Sequence, residues 1–178
     1  KGLEFMMARR DKVAFVGKNG AGKTTLTRIL LDLESHDGEL IKGHNVDIGY
    51  YAQNQAEELD GKITVLQTLE AEVTIESKVN LRSMLGSFLF SGEDVDKKVS
   101  VLSGGEKARL ALCKLLLHPY NVLILDEPTN HLDLKSKTVL KDALENFDGS
   151  LIVVSHDRDF LSGLTEFVYE VTPTGLRQ

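Results

Sequence analysis

Three short apolar runs along the chain predict buried strands, and each run stops at polar or glycine residues. They are "VAFV" at 13–16, "VLIL" at 122–125 and "LIVV" at 151–154. Continuous apolar runs of this length are typical of strands that are covered on both faces of a parallel sheet. Further strand-like segments follow a "DGE" turn at 37–39 and end in "DIGYYAQ" at 47–53.

Helical periodicity predicts three helices between these strands. Apolar residues recur every three or four positions from residue 22 to about residue 33. The stretch "EKARLALCKLLL" at 106–117 is a strong helix former, and Pro119 follows its end. Residues 134–147 form the third predicted helix, with Asp133 as its N-cap.

Residues 63–100 are more polar, and their helical pattern includes the amphipathic segment "LRSMLGSFLF" at 81–90. We therefore predict a single domain over 1–178, with a helical subdomain at about 63–118 inserted into it. The predicted fold class is α/β, with a mainly parallel sheet flanked by helices and a small antiparallel β region. Ligands of such sheets bind at the carboxyl ends of the strands.

Composition narrows the possible functions. The net charge is −6, from 27 acidic and 21 basic residues, and no segment collects Lys and Arg densely. This balance argues against a nucleic-acid-binding surface within this stretch. Cys113 is the only cysteine, so no internal disulfide can form; we interpret it as core filler in a cytosolic protein. No apolar run approaches the roughly 18 residues that predict a membrane span.

The stretch "GKNGAGKTT" at 17–25 predicts a phosphate-binding loop, because it lies between a strand and a helix. It satisfies the pattern Gly-x4-Gly-Lys-Thr, in which backbone N–H groups and a helix N-terminus surround phosphate oxygens. The lysine would reach the β- and γ-phosphates, and the Thr24 hydroxyl would bind Mg²⁺. A glycine-rich turn with a chance lysine is the alternative. The candidate nucleotide-binding residues are Gly17, Asn19, Gly20, Ala21, Gly22, Lys23, Thr24 and Thr25.

Two adjacent carboxylates end the strand "VLILDE" beside this loop. We expect Asp126 to hold Mg²⁺ directly or through a water molecule, since this ion prefers oxygen ligands. Glu127 would take a proton from the water that attacks the γ-phosphate. A solvated acidic strand end is the alternative for this pair.

The segment "VLSGGEKARLAL" at 101–112, upstream of a strand that ends in Asp-Glu, resembles the signature of ATP-binding-cassette (ABC) ATPases, which are P-loop NTPases with a RecA-like core. The resemblance implies that the signature of one cassette covers the ATP of a second cassette. It further implies four sets of residue roles. These are Ser103, Gly104 and Gly105 for the partner's ATP, Gln53 for Mg²⁺ and the attacking water, His156 for the γ-phosphate, and Asn130 to Asp133 for the dimer contact.

The segments "LDEPTNHLD" and "VVSHDRDFL" resemble the corresponding motifs of the ABC-F subfamily, whose members are soluble and act on ribosomes. This resemblance implies ATP and Mg²⁺ as cofactors, a weak ATPase activity for an isolated cassette, and cytoplasmic localisation. The implied partners are a second cassette, in the same polypeptide or in a homodimer, and the ribosome with its tRNA. Only 16 residues precede Gly17, so we interpret the chain as an N-terminally truncated second cassette. Phe5 is not assigned the family's adenine-stacking role.

Several alternatives stay open. The chemistry also fits the ATP-binding subunit of a membrane transporter, for which a permease partner would be the discriminator. A repair or chromosome-type ATPase would need a long or cysteine-rich insertion, and residues 54–101 are too few and contain no cysteine. Locally, Ser103 and Glu106 can form a helix capping box. His156 can be structural, and Gln53 can be an ordinary surface residue.

Overall fold

The computed structural model describes residues 3–73 and 80–178 and divides into two compact units. The first unit comprises Lys1–Ala52, Tyr120–Pro128 and Phe147–Gln178. The second comprises Gln53–Pro119 and Thr129–Asn146. The first unit holds the β-sheet, and the second holds helices.

Six strands form the sheet within the described part of the first unit, in the order β2-β3-β4-β1-β5-β6. All neighbouring strands are parallel except the pair β5–β6, which is antiparallel. The predicted α/β class with a small antiparallel region is therefore confirmed. The strands are β1 (Lys12–Val16), β2 (Ile48–Tyr51), β3 (Val122–Asp126), β4 (Ser150–Val154), β5 (Phe167–Thr172) and β6 (Gly175–Arg177).

The three apolar runs became the three central strands because both of their faces are covered. Every residue of β4 is buried, and so is Leu123–Asp126 of β3. The core of this unit joins Phe15 of β1, Ile124 of β3 and Val154 of β4 to Leu26 of the following helix. The segment before β2 differs from expectation, since only Ile48–Tyr51 is a strand there.

Helix α1 (Lys23–Leu30) follows β1 and ends earlier than its periodicity predicts. Asp32 adopts a left-handed φ of 58°. Its N–H donates to the Ile29 carbonyl, and the Leu33 N–H donates to the Arg28 carbonyl. This pair of bonds is a Schellman motif, which ends a helix. Leu33 therefore lies outside the helix with 55% of its surface exposed.

The second unit contains α2 (Val65–Glu70), α3 (Leu81–Ser87), α4 (Gly104–Leu117) and α5 (Leu134–Glu145). Short 3₁₀ turns occupy Gln55–Glu58, Gly92–Asp96 and Val99–Val101. Besides α1, the first unit contains the short helix α6 (Arg158–Leu161). Within 63–100, residues 74–79 lie outside the described residues.

Two of the predicted helix boundaries shift by two residues. Helix α4 begins at Gly104 rather than at residue 106, and α5 ends at Glu145 rather than at residue 147. The predicted cap of α5 is confirmed, since Asp133 Oδ1 accepts from the Ser136 N–H at 2.7 Å. Cys113 is fully buried on α4, as core filler should be, and burial raises the pKa of its thiol to about 12.

Candidate nucleotide-binding site

The register of the sheet brings three strand ends to the same edge. Asp126 of β3 lies opposite Val154 of β4, and Val154 lies opposite Phe15 of β1. The residues that follow these strands therefore emerge side by side, as parallel sheets require. They include Gly17, Glu127 and the serine–histidine pair after β4.

The loop after β1 needs glycine at three of its positions. Gly17, Gly20 and Gly22 have φ values of 145°, 78° and 99°, which side chains of L-residues rarely adopt. A Cβ at Gly17 would also lie 2.5 Å from the Val171 carbonyl oxygen. The glycines that the sequence places here thus allow one particular loop conformation.

Helix α1 begins without a side-chain cap, unlike the other α-helices in the described ranges. Gly22 occupies its N-cap, and no acidic residue lies in its first turn. The N–H groups of that turn are therefore available to an anion, which the helix dipole also favours. The other helices are capped by Thr64, Asn80, Ser103, Asp133 and Asp157.

The ammonium group of Lys23 lies inside the same loop. Its Nζ donates to the carbonyl oxygens of Gly17 at 2.9 Å and Lys18 at 3.1 Å. Lys23 is buried, with 8% of its surface exposed. The loop therefore combines a fixed positive charge with free amide donors. Of the other candidates in the loop, Asn19, Thr24 and Thr25 are exposed, and Ala21 is partly buried.

Thr24 and Asp126 meet across the gap between α1 and β3. The Thr24 hydroxyl donates to Asp126 Oδ2 at 2.9 Å. Asp126 is almost fully buried, and burial raises the pKa of its carboxyl, while Thr24 and the Lys23 charge partly offset that shift. The structure thus brings together two of the three residues that were predicted to bind Mg²⁺.

Glu127 has a φ of 51°, in the left-handed region. Its N–H donates to the Val154 carbonyl at 2.8 Å. Its Oε1 lies 3.3 Å from His156 Nε2. Burial raises the pKa of the Glu127 carboxyl, and the charge of His156 opposes that effect. Two residues that the sequence assigned to hydrolysis are therefore in contact.

A cavity of about 610 Å³ opens beside the start of the phosphate loop. Gly17 and Lys18 form part of its wall, and so do His156 and Arg158. Thr24 and Asp126 do not line it. The loop and the histidine therefore border open space.

The remaining predicted residues belong to the second unit. Gln53 is exposed and follows the end of β2 by two residues. Ser103 forms the capping box that was the structural alternative: its Oγ accepts from the Glu106 N–H, and Glu106 Oε2 accepts from the Ser103 N–H. Gly104 and Gly105 open helix α4 directly after this cap.

The segment Asn130–Asp133 adjoins the start of α4. A Cβ on Gly105 would lie 2.9 Å from the His131 carbonyl oxygen, so the two backbones approach closely. His131 itself has a left-handed φ of 66°. The second glycine of the signature is therefore required by packing within this unit.

The sequence analysis missed Arg109, which links the same two segments. Its Nη1 donates to Ser136 Oγ at 2.6 Å, and its guanidinium lies over the Phe90 ring. A charged residue between the buried Ala108 and Leu110 of α4 was the available signal. Phe5 also has a definite place, packing edge-on against Phe15 and Tyr169 at ring distances of 5.3 and 5.4 Å.

Comparisons with known proteins identify the family of the chain. The family described as ABC transporter matches residues 1–130. The chain is 49% identical over 177 residues to the ATP-binding protein YdiF of Bacillus subtilis, covering 99% of this chain and 27% of YdiF. It is 46% identical over 171 residues to ABC transporter F family member 2 of Arabidopsis thaliana, covering 94% and 25%. It thus spans about a quarter of the length of these relatives.

Solved structures show the same fold. A dimeric ATP-binding cassette in a post-hydrolysis state, bound to ADP and Pi, has a TM-score of 0.78 at 20% identity and covers 100% of this chain and 88% of that one. An archaeal ribosome recycling factor, solved in complex with the archaeal ribosomal stalk protein, has a TM-score of 0.75 at 25% identity and covers 90% and 31%.

The chain belongs to the ABC transporter family, as an ABC-type ATPase domain with the fold of a P-loop NTPase. Within that family it is a nucleotide-binding domain of the ABC-F type. None of the helices over residues 3–73 and 80–178 is long and apolar enough to span a bilayer.

Proposed function

We propose that this domain binds ATP with Mg²⁺ at the loop 17–25 and hydrolyses it in a closed pair of cassettes. The observation that carries the proposal is the 2.9 Å hydrogen bond from Thr24 to Asp126. Thr24 belongs to the first turn of α1, which has no side-chain cap. The two oxygen groups can bind Mg²⁺, and the free amide donors beside them can bind phosphate oxygens.

Different residues would bind the phosphates and the Mg²⁺ ion. Lys23 would contact the β- and γ-phosphates, since its ammonium already lies inside the loop. Thr24 and Asp126 would hold Mg²⁺, and Gln53 would join them. No group of three or more His, Cys, Asp or Glu side chains in the described residues could hold a metal by itself. Phosphate oxygens and water would therefore complete the coordination, and the ion would neutralise charge on the phosphates.

Glu127 would act as the general base of hydrolysis. Its burial raises the pKa of the carboxyl, which makes the carboxylate a better proton acceptor. His156 touches this carboxylate and borders the open space beside the loop. We assign His156 to the γ-phosphate, where it would contact both the general base and the phosphate and keep them at a fixed distance.

The signature residues Ser103, Gly104 and Gly105 would act on ATP that is bound to a second cassette. The capping box uses the Ser103 hydroxyl and the Glu106 N–H, but it leaves the N–H groups of the two glycines for an anion. ATP would close the pair, and loss of the γ-phosphate would open it, an order-switching step like those of other NTPases.

For the intact protein we propose a cytoplasmic role in translation, with the ribosome and its tRNA as partners. Two observations support this proposal: the relatives that bear ABC-F names, and the structural similarity to a ribosome recycling factor at 25% identity. Purification of the tagged intact protein should recover ribosomes in ATP and lose them on ATP depletion. Recovery of a membrane permease instead would overturn this role.

Two variants test the chemistry. Lys23→Ala should abolish tight binding of a fluorescent ATP analogue in titrations, since it removes the buried charge of the loop, whereas Glu127→Gln should leave that binding intact. In steady-state assays Glu127→Gln should lower the hydrolysis rate by about a hundredfold or more and trap the closed, ribosome-bound form. An unchanged dissociation constant in the first variant, or normal turnover in the second, would contradict these assignments.

A further inference from the structure

We propose that Arg109 is a positioning residue that holds the signature segment, Ser103–Gly105, in a fixed geometry against the segment Asn130–Asp133. This inference rests on the proposed function, in which both segments face a second cassette. The arginine would touch no nucleotide. It would act by keeping the two segments at a fixed position relative to each other, so that both contact the partner cassette at the same time.

The first support is a chain of hydrogen bonds from α4 to the start of α5. Arg109 Nη1 donates to Ser136 Oγ at 2.6 Å, and Ser136 is 1% exposed. The Ser136 N–H donates in turn to Asp133 Oδ1 at 2.7 Å. The guanidinium is thereby tied to the residue that caps α5 and closes the segment Asn130–Asp133.

A second contact joins the same segments one helical turn away. Gly105 packs so closely on the His131 carbonyl that a Cβ there would approach to 2.9 Å. Two contacts at separate points along α4 restrict its rotation against the segment more than either contact would alone. Arg109 and Gly105 therefore fix both the distance and the orientation of the signature.

The surroundings of the guanidinium combine an aromatic ring, several carboxylates and one buried donor without a partner. It lies 5.4 Å from the centroid of the Phe90 ring, and its charge faces the carboxylates of Glu106, Asp133 and Asp94. Its Nε is buried and has no hydrogen-bond partner among the described residues. A buried donor without a partner costs free energy, which offsets part of what the Ser136 bond, the ring contact and the carboxylates contribute.

Three variants of the intact protein test the inference. Arg109→Lys keeps the charge but loses the planar fork, and Arg109→Met keeps only the length. Ser136→Ala removes the acceptor but leaves the backbone bond to Asp133. We expect each to lower kcat for ATP hydrolysis about tenfold, as the loss of one hydrogen bond to a charged group predicts. The KM for ATP and the dissociation constant of a fluorescent ATP analogue should change by less than about twofold, because the nucleotide's own loop is untouched.

Thermal unfolding separates positioning from a structural role. Arg109→Lys keeps the charge beside the carboxylates, so its unfolding midpoint should stay close to that of the wild type while kcat falls. Arg109→Met removes that charge and should also lower the midpoint. The double variant Arg109→Lys with Ser136→Ala should be no slower than the slower single variant. Arg82→Lys is the matched control, since Arg82 is an exposed arginine of the same unit that faces Asp96. Its kcat should equal that of the wild type.

The outcomes against the inference are distinct from those against the proposed function. Unchanged kcat in the Arg109 variants, or a loss of kcat in Arg109→Lys that follows a fall in its unfolding midpoint, would overturn the positioning role alone. A wild-type protein that hydrolyses no ATP would overturn the proposed function and this inference with it.

Discussion

At the scale of single residues, the candidate site holds charged groups where their solvation is poor. Asp126 is 3% exposed, and burial is the main reason that its carboxyl pKa is raised. Lys23 is also buried, with its ammonium on backbone carbonyls rather than on a carboxylate. Such an arrangement is typical of functional sites, which give up stability to keep groups in position.

This predicts that Asp126→Asn stabilises the protein when neither Mg²⁺ nor nucleotide is present. The variant removes a poorly solvated charge, and the asparagine carbonyl can still accept from Thr24. At pH 7 the free energy of unfolding should rise by about 1 kcal/mol, measured by urea denaturation in EDTA. With Mg²⁺ and ATP present, the wild type should have the larger free energy of unfolding, because only the wild type keeps the carboxylate ligand.

The gain from Asp126→Asn should depend on pH in a defined direction. The folded-state pKa of Asp126 is raised, so the wild-type charge destabilises the fold above that pKa and is neutralised below it. The advantage of the variant should therefore shrink as pH falls through the raised pKa. Asp148→Asn serves as a control, since that side chain is 83% exposed, and its effect should stay within about 0.5 kcal/mol. A pH-independent gain would contradict the burial argument.

Sequence alone predicted the neighbourhood of the site but none of its side-chain contacts. Thr24 and Asp126 were both expected to serve Mg²⁺ at the edge of the parallel sheet where the strands end, and they do lie in contact. The contact of Glu127 with His156 depends on a left-handed φ of 51° at Glu127. No residue type in "VLILDE" signals that conformation, since glutamate rarely adopts it.

At the scale of elements, the two glycines that open α4 have different surroundings. A Cβ at Gly104 would meet no atom within 4 Å, whereas one at Gly105 would lie 2.9 Å from the His131 carbonyl oxygen. Both glycines were assigned to the partner's ATP from one motif. The structure separates them, since only Gly105 has a packing requirement within its own unit.

This difference predicts opposite results for two alanine variants. Gly105→Ala should lower the free energy of unfolding by about 1–3 kcal/mol, because the added methyl group forces α4 away from His131. Gly104→Ala should leave stability unchanged or raise it by up to about 1 kcal/mol, since alanine favours the helix. Its ATPase activity should nevertheless fall, because the open space is where the partner's nucleotide would lie. Chemical denaturation with ATPase assays on both variants would test this. An active Gly104→Ala variant would contradict the assignment of that glycine.

The elements that sequence patterns predicted well are those whose burial is uniform. The central strands were found because nearly every side chain along them is covered, whereas β5 was not identified. Its exposed Val168 and Glu170 alternate with buried or partly buried neighbours. The end of α1 was misplaced because the apolar spacing continues to Leu33 while the backbone turns at Asp32. Hydrophobic periodicity records which face is buried, and it does not record where hydrogen bonding stops.

At the scale of the whole molecule, the chain exposes large apolar side chains beside the segments assigned to a partner cassette. Leu134 is 81% exposed and follows the segment Asn130–Asp133, and Val101 is 69% exposed and lies two residues before Ser103. Single exposed hydrophobic residues are common and need no explanation. These two, however, flank the segments that the proposed function places at the dimer contact.

We therefore predict that Leu134→Ala weakens the ATP-dependent pairing of cassettes. Full burial of a leucine side chain contributes about 1.5–3 kcal/mol, so truncation in a pair of identical chains should raise the dissociation constant by roughly tenfold or more. The measurement is sedimentation of the 178-residue chain in the Glu127→Gln background, with ATP and Mg²⁺. Ile41→Ala is the matched control, because Ile41 is 79% exposed in the first unit and adjoins none of the assigned motifs. Equal dissociation constants for the two variants, or pairing that does not require ATP, would mean that the face beside Asn130–Asp133 does not receive the second cassette.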